Sequence, residues 1–269
     1  MYLKYYYPDY HYQRLFFDSK RLEITCMKNL FLLFLLQWLI HPALYSQIDR
    51  RSSSIMEVIP GKGYIEPPSD AIILFDGKDL NKWESPEDNH YLAAWKVSDG
   101  FFTAPAGFGY IQTKRSFGDC QLHVEWRTPS PHKRNGQNRG NSGVLLQGLY
   151  EVQILDSYHN DTYADGSAGS IYRQHAPMVN VSLPPGSWQT YDIFFTAPVF
   201  KPNGDLEKPA YISVLQNGVL VQNHVEIKGT TYVSPPVYEK HEALPLKIQG
   251  HDNPVSFRNI WIRSLPATK

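Results

Sequence analysis

Two carboxylates and an amide lie within six residues in Tyr150–Asp156, YEVQILD: Glu151, Gln153 and Asp156. Glycosidic bonds are commonly cleaved between two carboxyl groups, one acting as acid and the other as base or nucleophile. A spacing of five puts Glu151 and Asp156 on opposite faces of a regular strand, so a β-bulge must intervene if they are to act together. The competing structural roles are a turn opened by Asp156 and an ion pair between Glu151 and Arg127. A second group alternates in QLHVEWR, where His123, Glu125 and Arg127 oppose Leu122, Val124 and Trp126. A third alternates in LKIQGH, where Lys247, Gln249 and His251 oppose Leu246 and Ile248. An imidazole titrates near neutral pH, which makes His251 a candidate acid or base.

The candidate catalytic residues are therefore Glu151, His251 and Asp156. Glu125, Arg127, Gln153 and Gln249 are candidate ligands for substrate hydroxyls, joined by Asn141 and Ser142 in the tight stretch before Gly143. Glu125, Glu151, Asp156 and His251 also make a donor set that could hold a hard or borderline divalent cation. No compact ligand motif such as H-E-x-x-H accompanies them, so the sequence names no metal and no cofactor.

Short strands must position these groups. From Ala71 onward, β-branched and aromatic runs recur between Gly, Pro, Asn and Asp clusters, without a sustained 3.6-residue period. Asn217-Gly218 between two such runs predicts a two-residue hairpin turn. The pattern predicts an all-β fold, a two-sheet sandwich or jelly roll, in which three polar strand faces could converge on one groove. Trp126 and Trp261 are expected in the core, and Cys120 as a small buried hydrophobe. The polar stretch Thr128–Gly140 reads as a solvated loop or as a flap over the groove.

The N-terminus is different. Leu30–Ile40 is a short apolar run preceded by Lys28 and followed by small residues, the layout of a secretory signal peptide. It falls short of the roughly 20 residues of a transmembrane helix. Residues 1–46 are read as an upstream extension plus signal with its start at Met27, residues 47–70 as a leader, and residues 71–267 as one domain. The expected location is secreted or periplasmic. Removing residues 1–46 takes away five basic and three acidic residues, leaving 21 against 23 and a net charge of −2. Such a chain carries no basic footprint for nucleic acid. It also keeps only Cys120, so an internal disulfide is excluded and the core must supply the stability.

Nine segments in order carry a family resemblance: LFDGKDLNKW (Leu74–Trp83), AWKVSDG (Ala94–Gly100), EWR (Glu125–Arg127), NSGV (Asn141–Val144), YEVQILDS (Tyr150–Ser157), GSIY (Gly169–Tyr172), PPGSWQTYDI (Pro184–Ile193), NGVLVQN (Asn217–Asn223) and IQGHDNPVSFRNIWI (Ile248–Ile262). With these the chain resembles the DUF1080 family, the 3-keto-disaccharide hydrolase domain, from about Ala71 to Leu265. Where members often read LQDHG, this chain reads Ile248-Gln249-Gly250-His251-Asp252, with the acid on the other side of the histidine. The resemblance implies a concanavalin A-like jelly roll of the lectin and glucanase type. It also implies hydrolysis of glycosides oxidised to a ketone at C3, with a carbohydrate as partner. Two other readings stay open at this point. One is a lectin-like binding module without turnover. The other is a laminarinase-like glucanase, whose E-x-D-x-x-E strand appears here as E-x-Q-x-x-D.

Overall fold

The computed structural model describes residues 56–57 and 67–266, less 88–91, 93, 108 and 132–133. The readings made for the signal segment, and for all of the leader except residues 56–57 and 67–70, lie outside them. In chain order the strands are β1 (Met56–Glu57), β2 (Ile72–Phe75), β3 (Trp83–Glu84), β4 (Lys96–Ser98), β5 (Phe101–Thr103), β6 (Gly109–Phe117), β7 (Cys120–Arg127), β8 (Ser142–Leu146) and β9 (Tyr150–Ile154). They continue with β10 (Val179–Asn180), β11 (Gln189–Thr196), β12 (Val199–Phe200), β13 (Leu206–Lys208), β14 (Tyr211–Gln216), β15 (Val219–Glu226), β16 (Leu244–Gly250) and β17 (Ser256–Ser264).

Two antiparallel sheets make a jelly-roll sandwich. The larger has eight strands in the order β15-β14-β11-β7-β17-β5-β4, with β2 also paired to β17. The smaller has five, in the order β3-β6-β16-β8-β9. Strand alternation explains what lies between them. The smaller sheet turns Ile111, Val144, Leu146, Tyr150, Val152, Ile154 and Ile248 inward. The larger sheet turns Leu122, Val124, Trp126, Tyr191, Ile193 and Phe257 against them, all in one buried cluster. Trp126 is fully buried, as expected, and a buried side chain of this kind contributes about 1.5–3 kcal/mol or more. The turn between β14 and β15 is the expected hairpin. Asn217 and Gly218 both have positive φ, 52° and 79°, which this turn type needs.

The residues that alternate outward on the smaller sheet form the surface on which the site is built. Register aligns Leu145 with both Glu151 and Lys247, and Gly143 with Gln153. Gln249 aligns with Tyr110.

Candidate active site

Glu151 is the centre of this surface. It sits in the middle of β9, held in unbroken register against β8 from Leu146↔Tyr150 to Ser142↔Ile154. Its side chain does not project straight out. It leans across the neighbouring strand over Gly143, where a β-carbon would stand 2.1 Å from Glu151 Oε1. The missing side chain of Gly143 is therefore the space the carboxylate occupies. Glu151 is 1% exposed, and its Oε2 has no hydrogen-bond partner among the described residues. Burial pushes the carboxyl up to about 8, opposed only by the nearby Tyr232 hydroxyl. A buried acid with an elevated pKa is the usual condition of a general acid or base.

Amide and phenol groups surround it. The Gln153 amide lies 3.0 Å from Glu151 Oε1 and 3.1 Å from the Ser142 carbonyl, and its NH2 end satisfies both oxygens. The other end of that amide lies 3.2 Å from the Gln137 side chain. Gln249 donates from Nε2 to the Tyr232 hydroxyl at 3.0 Å and to the Tyr110 hydroxyl at 3.3 Å. Tyr172 stands beside Tyr232, ring centroids 6.0 Å apart, and its hydroxyl meets that of Tyr163 at 2.9 Å. Arg173 covers the Tyr163 ring at 3.7 Å.

Strand β9 is the last strand of its sheet, and two segments close its open edge. Ser170 accepts from Gln153 N, and Tyr172 donates from its backbone to Glu151 O at 3.1 Å. On the same edge Thr231 accepts from Glu151 N at 3.3 Å and donates to Leu149 O at 3.1 Å. The loop that carries Tyr232 is thus tied to the backbone of Glu151 itself.

The stretch Thr128–Gly140 is neither simply solvated nor free. Its residues 136–138 form a 3-10 turn. There Gln137 donates to Thr162 Oγ1 and Gly166 O, both at 2.8 Å. Asn141 Nδ2 donates to Gln137 O at 2.8 Å. Asn141 therefore fixes the backbone of the residue whose side chain meets Gln153.

Several expected site residues are placed elsewhere. The first is Asp156. No bulge interrupts β9, and both Asp156 oxygens are taken by Arg139, at 2.8 Å from Nε and 3.0 Å from Nη2. Arg139 also donates to the Tyr158 carbonyl. Asp156 is a structural anchor for the loop and not half of a carboxylate pair with Glu151. Second, Glu125 and Arg127 lie on β7 in the other sheet, on the side away from the core. Arg258 Nε donates to Glu125 Oε2 at 2.6 Å and Asn259 Nδ2 to Oε1 at 2.8 Å. His123 stands 3.8 Å from the same carboxylate. Burial alone would raise the Glu125 pKa, but these partners hold it at about 2. Arg127 stacks on Trp188 at 4.6 Å and on Phe101 at 4.8 Å. The three polar strand faces therefore do not share one groove, because β7 belongs to the larger sheet. Third, Ser142 alternates with Val144 onto the core side of β8. It donates to Gln249 O at 2.6 Å, fixing that strand from behind.

His251 follows the last residue of β16, on the same sheet as Glu151. Counted through the register it is two strands and four residues from Glu151, roughly 16 Å between α-carbons. It is half-buried, and burial lowers its pKa, with Asp252 opposing. Arg134 of the long loop pairs with Asp252 at 3.3 Å at the same end. With Glu125 and Asp156 committed elsewhere, the expected four-donor cation set does not assemble. Among the described residues no group of three or more His, Cys, Asp or Glu side chains could hold a metal ion.

Gly143, Gln137, Tyr110, Tyr172 and Tyr232 are site residues that alternation did not identify. Gly143 had a signal, since a glycine inside a strand pattern marks a close approach. Tyr232 lies in an irregular loop and had none.

Residues 70–263 match the family described as the 3-keto-alpha-glucoside-1,2-lyase-like domain. Among solved structures, a protein from Parabacteroides distasonis ATCC 8503, provisionally assigned as a glycosyl hydrolase, is 46% identical. The match covers 81% of this chain and 96% of that one, with a TM-score of 0.72. Two further proteins with that provisional assignment, from the same organism, are 19% and 22% identical. They cover 73% and 72% of this chain and 94% and 99% of their own, with TM-scores of 0.55 and 0.51, and show the shared fold alone. No curated protein matches the sequence.

Proposed function

The chain belongs to the 3-keto-alpha-glucoside-1,2-lyase-like domain family, and from that membership and the Glu151 site we propose that it is an enzyme cleaving glycosides oxidised to a ketone at C3, 3-keto-disaccharides among them. A C3 ketone acidifies the proton on C2. A base can then remove that proton, and the glycosidic oxygen can leave from C1 with formation of a C1–C2 double bond. Addition of water to that bond completes a net hydrolysis. Such a reaction needs one base, donors for the enolate oxygen and an acid for the leaving group.

The observation that carries this reading is the Glu151 carboxyl seated in the space left by Gly143, buried and pushed up to about 8. One base of that kind suffices for elimination. Direct glycoside hydrolysis asks for two carboxyl groups about 5–9.5 Å apart, and the expected partner Asp156 is held by Arg139. Glu151 is cast as the base that takes the C2 proton. The amide N–H groups of Gln153 go to Glu151 and the Ser142 carbonyl and those of Gln249 to the Tyr232 and Tyr110 hydroxyls, so Gln153 is cast as the group that orients the base and Gln249 as the group that orients the phenols.

The test is release of free sugar or aglycone from a 3-keto-glucoside, run beside the unoxidised glucoside. Turnover of the keto compound alone is expected. Turnover of the unoxidised glucoside would overturn the elimination chemistry in favour of a direct glucanase. Saturable binding of either with no turnover would make the domain a lectin-like module.

A further inference from the structure

We propose that Tyr232 is the catalytic acid of this site: its hydroxyl delivers to the leaving glycosidic oxygen the proton that Glu151 removes from C2. This rests on the elimination chemistry proposed above and assigns the acid that chemistry calls for. The geometry singles out Tyr232 among the phenols on this surface. The residue before it, Thr231, binds the backbone of Glu151, with Glu151 N donating to Thr231 Oγ1 at 3.3 Å. Gln249 donates to the Tyr232 oxygen at 3.0 Å. With that lone pair engaged, the phenolic proton is turned away from Gln249 and toward the Glu151 carboxyl, with which the hydroxyl interacts. The ring is braced against Tyr172 at 6.0 Å between centroids. About half of the residue stays open to solvent, with 48% exposure, so a ligand on this face would contact it directly. Tyr110 also receives a bond from Gln249, at 3.3 Å. It stands on β6, however, on the far side of β16 and β8 from β9.

Proton accounting closes without another reactant. Glu151 as carboxylate takes the C2 proton, and the C2–H electron pair becomes the C1–C2 double bond. The C1–O bond breaks, and the departing oxygen takes the Tyr232 proton. The phenolate then recovers a proton from the adjacent Glu151 carboxylic acid, which restores both groups. Timing favours the relay. Burial, and after it the Glu151 charge, raises the Tyr232 pKa while Glu151 is ionised, which is the form that accepts the C2 proton. Once Glu151 holds the C2 proton, that charge is gone and the phenol becomes a better donor as the leaving group needs it.

Leaving-group dependence tests the proposal. Nitrophenolate departs from a 3-keto-glucoside without protonation, whereas an alkoxide or a sugar hydroxyl requires it. Tyr232→Phe keeps the ring and its contact with Tyr172. It is expected to lower kcat/KM for a methyl or disaccharide substrate by about 10²–10⁴-fold, while the nitrophenyl substrate changes by only a few-fold. An equal loss on both substrates, or no loss on either, would overturn the assignment and leave the elimination reading standing. A wild-type protein inert on every 3-keto-glucoside would overturn both. If Tyr232→Phe does not fold, the wild type still decides. A shallow dependence of log kcat/KM on leaving-group pKa supports an acid, and a steep one excludes it.

Discussion

A β-carbon on Gly143 and the carboxylate of Glu151 would claim the same space, with 2.1 Å between the added carbon and Oε1. The glycine is not needed here for a left-handed backbone, since its φ is not among the positive ones. It is needed because the acid lies over it. Gly143→Ala should displace the carboxylate, the movable end of a side chain, and leave the strand in place. A misplacement of about 1 Å at a reacting group costs on the order of 10²-fold in rate. The expected result is that loss in kcat/KM on a 3-keto-glucoside with little change in thermal melting. Unchanged turnover in Gly143→Ala would mean that the Glu151 position does not matter to the chemistry.

Glu151→Gln separates the acid's catalytic role from its cost to the fold. Turnover should fall by about 10²–10⁴-fold, as for loss of a general base. Stability should move the other way. The native carboxyl keeps its proton up to about 8, whereas the unfolded chain releases it near the ordinary glutamate value of 4.5. The wild type therefore loses stability as pH rises from about 4.5 to about 8, at about 1.4 kcal/mol per unit of pKa difference. The amide has no such dependence. Melting temperatures of the two proteins should converge near pH 4 and diverge in favour of Glu151→Gln toward pH 8. Parallel melting curves across that range would mean that Glu151 is solvated.

The same group sets the rate profile. A base must be ionised to accept a proton, and kcat/KM reports the free enzyme. With Glu151 at about 8, kcat/KM should rise nearly tenfold per pH unit between pH 6 and 7.5 and level off above about 8.5. A flat profile from pH 6 to 9 would place the base elsewhere. His251, whose pKa burial lowers, would be the next residue to substitute.

How much of this was legible in the sequence depends on which distance had to be read. Alternation in YEVQIL correctly implied that Glu151 and Gln153 share a face and that Val152 and Ile154 face the core, because strand period is a local property. The same rule assigned Glu125 and Arg127 to one outward face, which holds. It could not tell that β7 pairs with β11 and β17 in the other sheet, since sheet membership is set by long-range pairing. Asp156 misled for a related reason. Its partner Arg139 sits 17 positions upstream, in a loop whose composition reads as solvated. Tyr232 was invisible because an irregular loop has no period from which a side-chain direction can be drawn.

Export is a separate proposal, motivated by the apolar run Leu30–Ile40 after Lys28. Protein recovered from the cell envelope or the medium should begin near Gln47. Mass spectrometry of the intact chain decides it, and an envelope-bound protein retaining Leu30–Ile40 would point to an anchor.

The Asp156–Arg139 pair gives the sharpest contrast between holding a site and acting in it. Asp156 is 2% exposed and Arg139 5%, and removing one partner of a buried pair typically costs about 3–5 kcal/mol because the other charge is stranded. Arg139 keeps the carbonyls of Tyr158 and His159 as acceptors, so Asp156→Asn should fall toward the lower end of that range. The pair fastens the loop whose next residues, Gly140 and Asn141, lead into β8, and whose Gln137 meets the Gln153 amide. Loosening it should therefore raise KM and lower the melting temperature. The kcat of the folded fraction should stay within a few-fold, because Asp156 takes no part in proton transfer. Asp156→Asn measured well below its melting temperature makes the distinction. A kcat loss comparable to that of Glu151→Gln, with melting unchanged, would restore the paired-carboxylate mechanism and remove the elimination reading.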